Sequence, residues 1–211
     1  MTTIYLTRHG ETEWNVRKKM QGWNDSPLTE KGIAYAQALG KSLQYVHFDA
    51  VFSSTSGRAL STTQHILGDR TFPIQTDERL KEMHLGDWEG RTQEEVKQHD
   101  ATQLDYFWSQ PTLYTPETGE SYMDLYTRVL PFLHEIVEKY PNGTILLVTH
   151  AITLKSITRH YKNLPYEQIW DDPYIHGTSL TVFTVKDDNV TFLKDADMSH
   201  IEDFANEITY R

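Results

Sequence analysis

A chain of 211 residues with 20 Lys+Arg against 30 Asp+Glu has room for one substantial core, and its net charge of −10 argues against nucleic acid or an anionic membrane as main partner. It has no cysteine, which removes disulfides, thiolate metal sites and a cysteine nucleophile, while 12 Tyr, 8 Phe and 5 Trp argue against disorder. The opening residues carry no signal-like basic and apolar stretches, and no run approaches membrane-spanning length, so a soluble cytoplasmic protein is the expectation.

Ile4-Tyr5-Leu6 reads as a first strand, ending at Thr7-Arg8-His9-Gly10-Glu11-Thr12. Thr29 is a candidate N-cap with Glu30 in the first turn, and Ile33, Ala36, Leu39 and Leu43 give the helix that follows an apolar face. Ala50-Val51-Phe52 is a second short strand, running through Ser53-Ser54 into a helix that contains Arg58, Ala59, Thr62 and Ile66. Residues 99–120, with Tyr106, Phe107, Trp108 and Tyr114, lack a clear period and read as a lid-like excursion. Leu125, Val129, Phe132, Leu133, Ile136 and Val137 form the strongest helical stripe, in which Pro131 predicts a kink or a break. Thr144 to Val148 is a buried strand ending at Thr149-His150, and another helix is expected to run to Tyr161. Leu180 to Val185 and Val190 to Leu193 flank Lys186-Asp187-Asp188-Asn189 as a hairpin. Strands alternating with helices predict a single α/β domain over 1–211, a three-layer sandwich around a mostly parallel sheet.

His9 and His150 each follow a hydrophobic run, so a parallel sheet would present both at one carboxyl edge, where α/β folds bind ligands. Arg8 and Arg58 sit at strand-to-helix junctions within reach of that edge, and arginine's planar fork matches phosphate. A neutral histidine can attack phosphorus, and the departing alkoxide then needs a proton from a carboxylic acid. Glu82 in Leu80-Lys81-Glu82-Met83-His84-Leu85-Gly86 is the candidate, with Glu11, Glu13 and Glu89 as rivals. His65, His84 and His99 read as surface groups. No ligand-like spacing joins His9 to His150, so a metal site is disfavoured.

Taken together, several segments resemble the histidine phosphatase superfamily, in its phosphoglycerate-mutase-like branch. They are Thr7–Thr12 with Asn15, Gln21-Gly22, Pro27-Leu28-Thr29-Glu30-Lys31-Gly32, and Ser53-Ser54 with Arg58-Ala59. Further along come Glu82 with Gly86-Asp87-Trp88-Glu89-Gly90, Gly119-Glu120-Ser121 and Val148-Thr149-His150-Ala151. The resemblance spans most of the chain and implies that His9 becomes a phosphohistidine. Arg8, Arg58 and His150 would hold the phosphoryl oxygens, helped by Asn15 and the amide of Ala151, and Gln21 and Gly22 would line the phosphate end. Glu82 would protonate the leaving oxygen and then activate water. The substrate implied is a small phosphate monoester, with no metal and no cofactor.

Cofactor-dependent mutases of this branch resemble one another in a Glu-Arg-His-Tyr-Gly segment and an arginine pair in the insertion. Here the segment is Glu82-Met83-His84-Leu85-Gly86, and no lysine or arginine lies between Lys97 and Arg128. Hydrolysis is therefore the favoured reading. The mutase, with Arg17, Lys18 and Lys19 supplying charge, is the alternative, and an inactive relative serving as a binding module is a weaker one.

Overall fold

The computed structural model describes residues 1–187 and 189–202, and among these six strands form one sheet. They are β1 (Thr2–Arg8), β2 (Ala50–Ser54), β3 (Ile74–Asp77), β4 (Thr144–Thr149), β5 (Leu180–Lys186) and β6 (Asn189–Asp197), in the order β3-β2-β4-β1-β5-β6. The first four in that order run parallel, and β5 and β6 are antiparallel additions beside β1. β5 and β6 are the expected hairpin, although Asp188 in its turn lies outside the described residues.

The described residues also form six α-helices: α1 (Glu13–Val16), α2 (Glu30–Ser42), α3 (Gly57–Leu67), α4 (Gln93–Ser109), α5 (Tyr122–Lys139) and α6 (Ala151–Lys162). The pleat of β4 sorts the layers, because neighbouring side chains point to opposite faces. Ile145 and Leu147 join Ile4, Leu6, Phe52, Val129 and Phe132 in one core, and Leu146 and Val148 join Ala36, Leu39, Ala59 and Ile66 in the other. The three-layer α/β sandwich expected from the sequence is the architecture observed.

Three local features go beyond the sequence pattern. Of the kink or break expected at Pro131, the break does not occur, since α5 runs through it to Lys139. Pro131 and Thr127, whose carbonyl loses its helical partner, are both exposed, so water can replace the missing bond. Residues 99–109, read as irregular, belong to α4, whose only non-helical residue is Asp100 (φ −146°, ψ 53°). β3 was not expected at all: it is a four-residue edge strand whose side chains are mostly half-exposed, leaving no apolar run to read.

Candidate active site

In the parallel pair β1 and β4, Arg8 lies opposite Thr149, and the His9 amide donates to the Thr149 carbonyl at 2.9 Å. The next residue of each strand is a histidine, so His9 and His150 emerge side by side with ring centroids 5.1 Å apart. His9 Nδ1 lies 2.7 Å from the Gly10 carbonyl oxygen. A carbonyl only accepts, so the proton is on Nδ1 and Nε2 keeps its lone pair. Burial, then the charges of Arg58 and Arg8, hold this imidazole's proton affinity well below the ordinary value of 6.5, against a smaller opposing pull from Gly10. Nε2 is thus an unprotonated nitrogen at neutral pH, which is what an attacking group must be.

Arg58, at the start of α3, is 1% exposed and donates from Nε to His9 Nε2 at 3.3 Å. Its Nη1 donates to the Asn24 carbonyl (2.7 Å) and Asp25 Oδ1 (2.9 Å), and Nη2 donates to the Gly22 carbonyl (2.8 Å). Burial lowers the Arg58 pKa, and the Asp25 carboxylate opposes that fall. One arginine therefore fixes both the histidine ring and the 22–25 turn. Gly22 is required there on two counts: its φ is +52°, and a Cβ would fall 2.2 Å from Glu89 Oε1.

Arg8 donates from Nη1 to the Ile175 carbonyl at 2.8 Å, while its buried Nε has no protein partner. His150 Nε2 is 2.8 Å from Ser54 Oγ, and Nδ1, also buried, has no protein partner. When Ser54 donates to Nε2, Nδ1 carries the proton and becomes a donor. Burial, then Arg58 and His9, push the His150 pKa well below 6.5. Asn15 Oδ1 accepts from the Thr12 amide and hydroxyl (both 3.0 Å), which leaves its amide nitrogen as the group able to meet an oxyanion. Gln21 is buried beside this turn, and Ala151 opens α6, where first-turn amides have no intrahelical partner.

Glu82 is buried, and its carboxylate sits at the same helix end. Oε1 accepts from the amides of Met83 (3.0 Å) and Thr153 (3.1 Å), and the Thr153 hydroxyl oxygen, whose proton goes to the Lys81 carbonyl at 2.8 Å, lies 3.2 Å away. Oε2 accepts a single bond, from the Ile152 amide at 3.2 Å, and so has the freer lone pair. The rival carboxylates have other tasks. Glu89 accepts from the amides of Trp23 (2.8 Å), Asn24 (2.9 Å) and Leu85 (3.1 Å), tying the 22–25 turn to the segment after Glu82. Glu11 accepts from the Thr29 hydroxyl (2.9 Å), and Glu13, at the start of α1, pairs with the exposed Arg17 just past its end.

Sequence reading missed Asp25, the counter-charge of Arg58, and Thr153, a donor to Glu82. Neither lies in a recognisable motif. His84, read as a surface group, is partly covered by Trp23, which stacks on it at 4.5 Å. Among the described residues no group of three or more His, Asp or Glu is arranged to hold a metal ion, and no helix is long and apolar enough to cross a membrane.

One edge of the α/β sheet thus gathers two buried histidines, two arginines and a buried carboxylate, a donor set whose chemistry suits an oxyanion. Residues 4–197 match the histidine phosphatase superfamily (branch 1), and the chain belongs to that family. It is 32% identical to the 2,3-bisphosphoglycerate-dependent phosphoglycerate mutase of Bartonella quintana (strain Toulouse), over 89% of this chain and 94% of that protein. It is 34% identical to the adenosylcobalamin/alpha-ribazole phosphatase of Escherichia coli (strain K12), over 79% of this chain and 82% of the other. Its structure is similar to that of Bacillus stearothermophilus YhfR, with a TM-score of 0.93, 48% identity, and 96% and 100% of the two chains covered.

Proposed function

We propose that this protein is a single-domain phosphate monoester hydrolase working through a phosphohistidine on His9. The observation that carries the reading is the His9 ring itself: Nδ1 is held by the Gly10 carbonyl and Nε2 is bare of protons beside Arg58. Nε2 attacks phosphorus, the bond to the leaving oxygen breaks, and Glu82 delivers the proton that makes the departing group an alcohol. Arg8, Arg58, His150, Asn15 and the Ala151 amide face the three phosphoryl oxygens, with Gln21 and Gly22 lining the same end. Charge spread over those oxygens in the transition state is where such donors act most strongly. Water then attacks the phosphorus, Glu82 takes its proton, and the P–N bond breaks to release phosphate and restore His9. Residues 99–120 form a side wall.

The mutase reading has support from relatives that carry that name, one of them 32% identical. Against it stand Met83 and Leu85, both buried in the core and unable to grip a second phosphate. Arg128, the first cation after Lys97, is paired with Glu120. Arg17 pairs with Glu13, and Lys19 lies over Trp14.

The test is hydrolysis of p-nitrophenyl phosphate with a chelator present, with quench-trapping of labelled enzyme. Wild type should turn over and trap label on a histidine, and His9→Ala should lose turnover by at least about 10⁴-fold along with the label. Label retained in His9→Ala would place the nucleophile elsewhere. A 3-phosphoglycerate assay primed with 2,3-bisphosphoglycerate, run alongside, should give phosphate rather than isomer. Isomer as main product would install the mutase instead.

A further inference from the structure

Gly119-Glu120-Ser121 has no part in the mechanism above, yet it touches the segment that carries Glu82. Glu120 Oε1 and Oε2 accept from Arg128 Nε and Nη2, each at 2.7 Å, and Oε2 also accepts from the His84 amide at 2.9 Å. The Glu120 amide donates back to the His84 carbonyl at 2.8 Å. Gly119 permits this approach: its φ is +99°, and a Cβ would lie 2.4 Å from that carbonyl oxygen.

Arg128, on α5, turns the rest of its fork onto the backbone around the acid. Nη1 donates to the carbonyls of Arg79 (2.9 Å) and Lys81 (3.1 Å), and Nη2 donates to the carbonyl of Glu82 itself (3.1 Å). Other anchors of this segment come from residues next to the reacting groups. Trp23 Nε1 donates to the Glu82 carbonyl (2.9 Å), Thr153 Oγ1 to Lys81 (2.8 Å) and Thr149 Oγ1 to Leu80 (2.6 Å). Arg128 and Glu120 lie one layer further out, so their contacts reach the reaction through the main chain of 79–84. A proton donor displaced by about 1 Å can forfeit some 10²-fold in rate.

We propose that Arg128, clamped by Glu120, is a positioning residue for Glu82, fixing the backbone from which its carboxyl group meets the leaving oxygen. The inference rests on Glu82 being the proton donor. Arg128's charge is also felt at His150, so the informative substitution keeps the charge and removes the planar fork, as Arg128→Lys does.

The experiment measures kcat and KM for phosphate monoesters whose leaving groups range from p-nitrophenol to simple alcohols, in wild type, Arg128→Lys, Glu82→Gln and the double variant. Arg128→Lys should lower kcat/KM of the alcohol esters, which reports phosphoryl transfer up to departure of the alcohol and not the later attack of water, by about 10- to 100-fold. The kcat/KM of the p-nitrophenyl ester, whose leaving group needs no proton, should fall by under about threefold. In the Glu82→Gln background the lysine should add under about twofold, because both changes act on one proton transfer. Equal losses for every leaving group, or full multiplication with Glu82→Gln, would overturn the inference and leave a purely structural ion pair. Should Arg128→Lys fail to fold, Glu120→Gln weakens the same clamp and is judged by the same two criteria. Glu82→Gln separates the layers of the argument. If it shows no leaving-group dependence, the acid assignment falls and takes this inference with it. If it shows that dependence and neither clamp variant does, only the inference falls.

Discussion

At the carboxyl edge of the parallel strands, Arg58 joins His9, Gly22, Asn24 and Asp25 through directed hydrogen bonds. In the neighbouring aromatic segment, Phe107 is equally buried but held by rings: Trp88, Trp108, Tyr114, Tyr122 and Trp170 have centroids 5.0 to 5.7 Å from its own. Its carbonyl, which accepts from Tyr122 Oη and Trp170 Nε1 (both 2.8 Å), adds a polar pin. The two regions place their order in different currencies of interaction. Directed bonds fix atoms to within the tolerance that phosphoryl transfer needs, whereas ring packing fixes a surface and is tolerant of its detail. Of the four aromatics in the segment that reads as a lid-like excursion, Phe107 and Tyr114 are core residues, Tyr106 packs against the core, and Trp108 is the exposed one at 39%.

The sharpest way to break this contrast is Arg58→Ala. On the proposed mechanism it should lower kcat/KM by at least about 10³-fold, and by the same factor for every leaving group, because it removes a cation proposed to hold the phosphoryl oxygens and frees the 22–25 turn. A loss confined to one class of leaving group would mean that Arg58 serves the substrate's other end. Next in size is Phe107→Ala. Chemical denaturation should show about 3–5 kcal/mol of lost stability, while kcat for p-nitrophenyl phosphate at low temperature stays within about threefold. A collapse of kcat in folded protein would put the aromatic segment inside the chemistry.

The smallest effect is on pH. His9 and His150 are buried with pKa values well below 6.5, and His200 is pushed down to about 4, chiefly by burial. Below pH 6.5 the unfolded chain takes up protons that the folded one refuses, so stability is full above that pH and falls as pH drops towards the folded values. Each of the two site histidines should contribute a slope of at most about 1.4 kcal/mol per pH unit there. Urea midpoints between pH 5.5 and 7.5 give the measurement, and a flat or rising stability on acidification would contradict the burial of neutral rings.

How much of this was legible follows the same divide. His9 and His150 could be placed from sequence because each closes a buried apolar strand, and a parallel sheet leaves such residues one common edge. The fold was legible for the same reason. Glu82 could not be told from Glu89 by composition, and the family resemblance singled it out; the structure shows Glu89 bonded to the amides of 23, 24 and 85. α4 did leave a signal that went unread: Thr92 and Glu95 form a capping box, with the Glu95 amide donating to Thr92 Oγ1 (3.2 Å) and the Thr92 amide to Glu95 Oε2 (2.7 Å). Val96, Leu104 and Phe107 are the buried residues of α4's 17 and make too sparse a stripe to announce a helix, and the backbone breaks at Asp100 between them. Asp25 had no sequence signal, since its partner stands 33 positions away.

The register of β1 against β4 has one more consequence. Since Arg8 faces Thr149 and each is followed by its histidine, the two histidines are set side by side by the sheet's own ladder. Deleting one residue inside β1 would turn its side chains to the opposite faces and carry His9 away from His150. A change of length elsewhere leaves the ladder intact and reaches the pair through the groups that the connections supply, such as Gly22, Asn24 and Asp25 around Arg58.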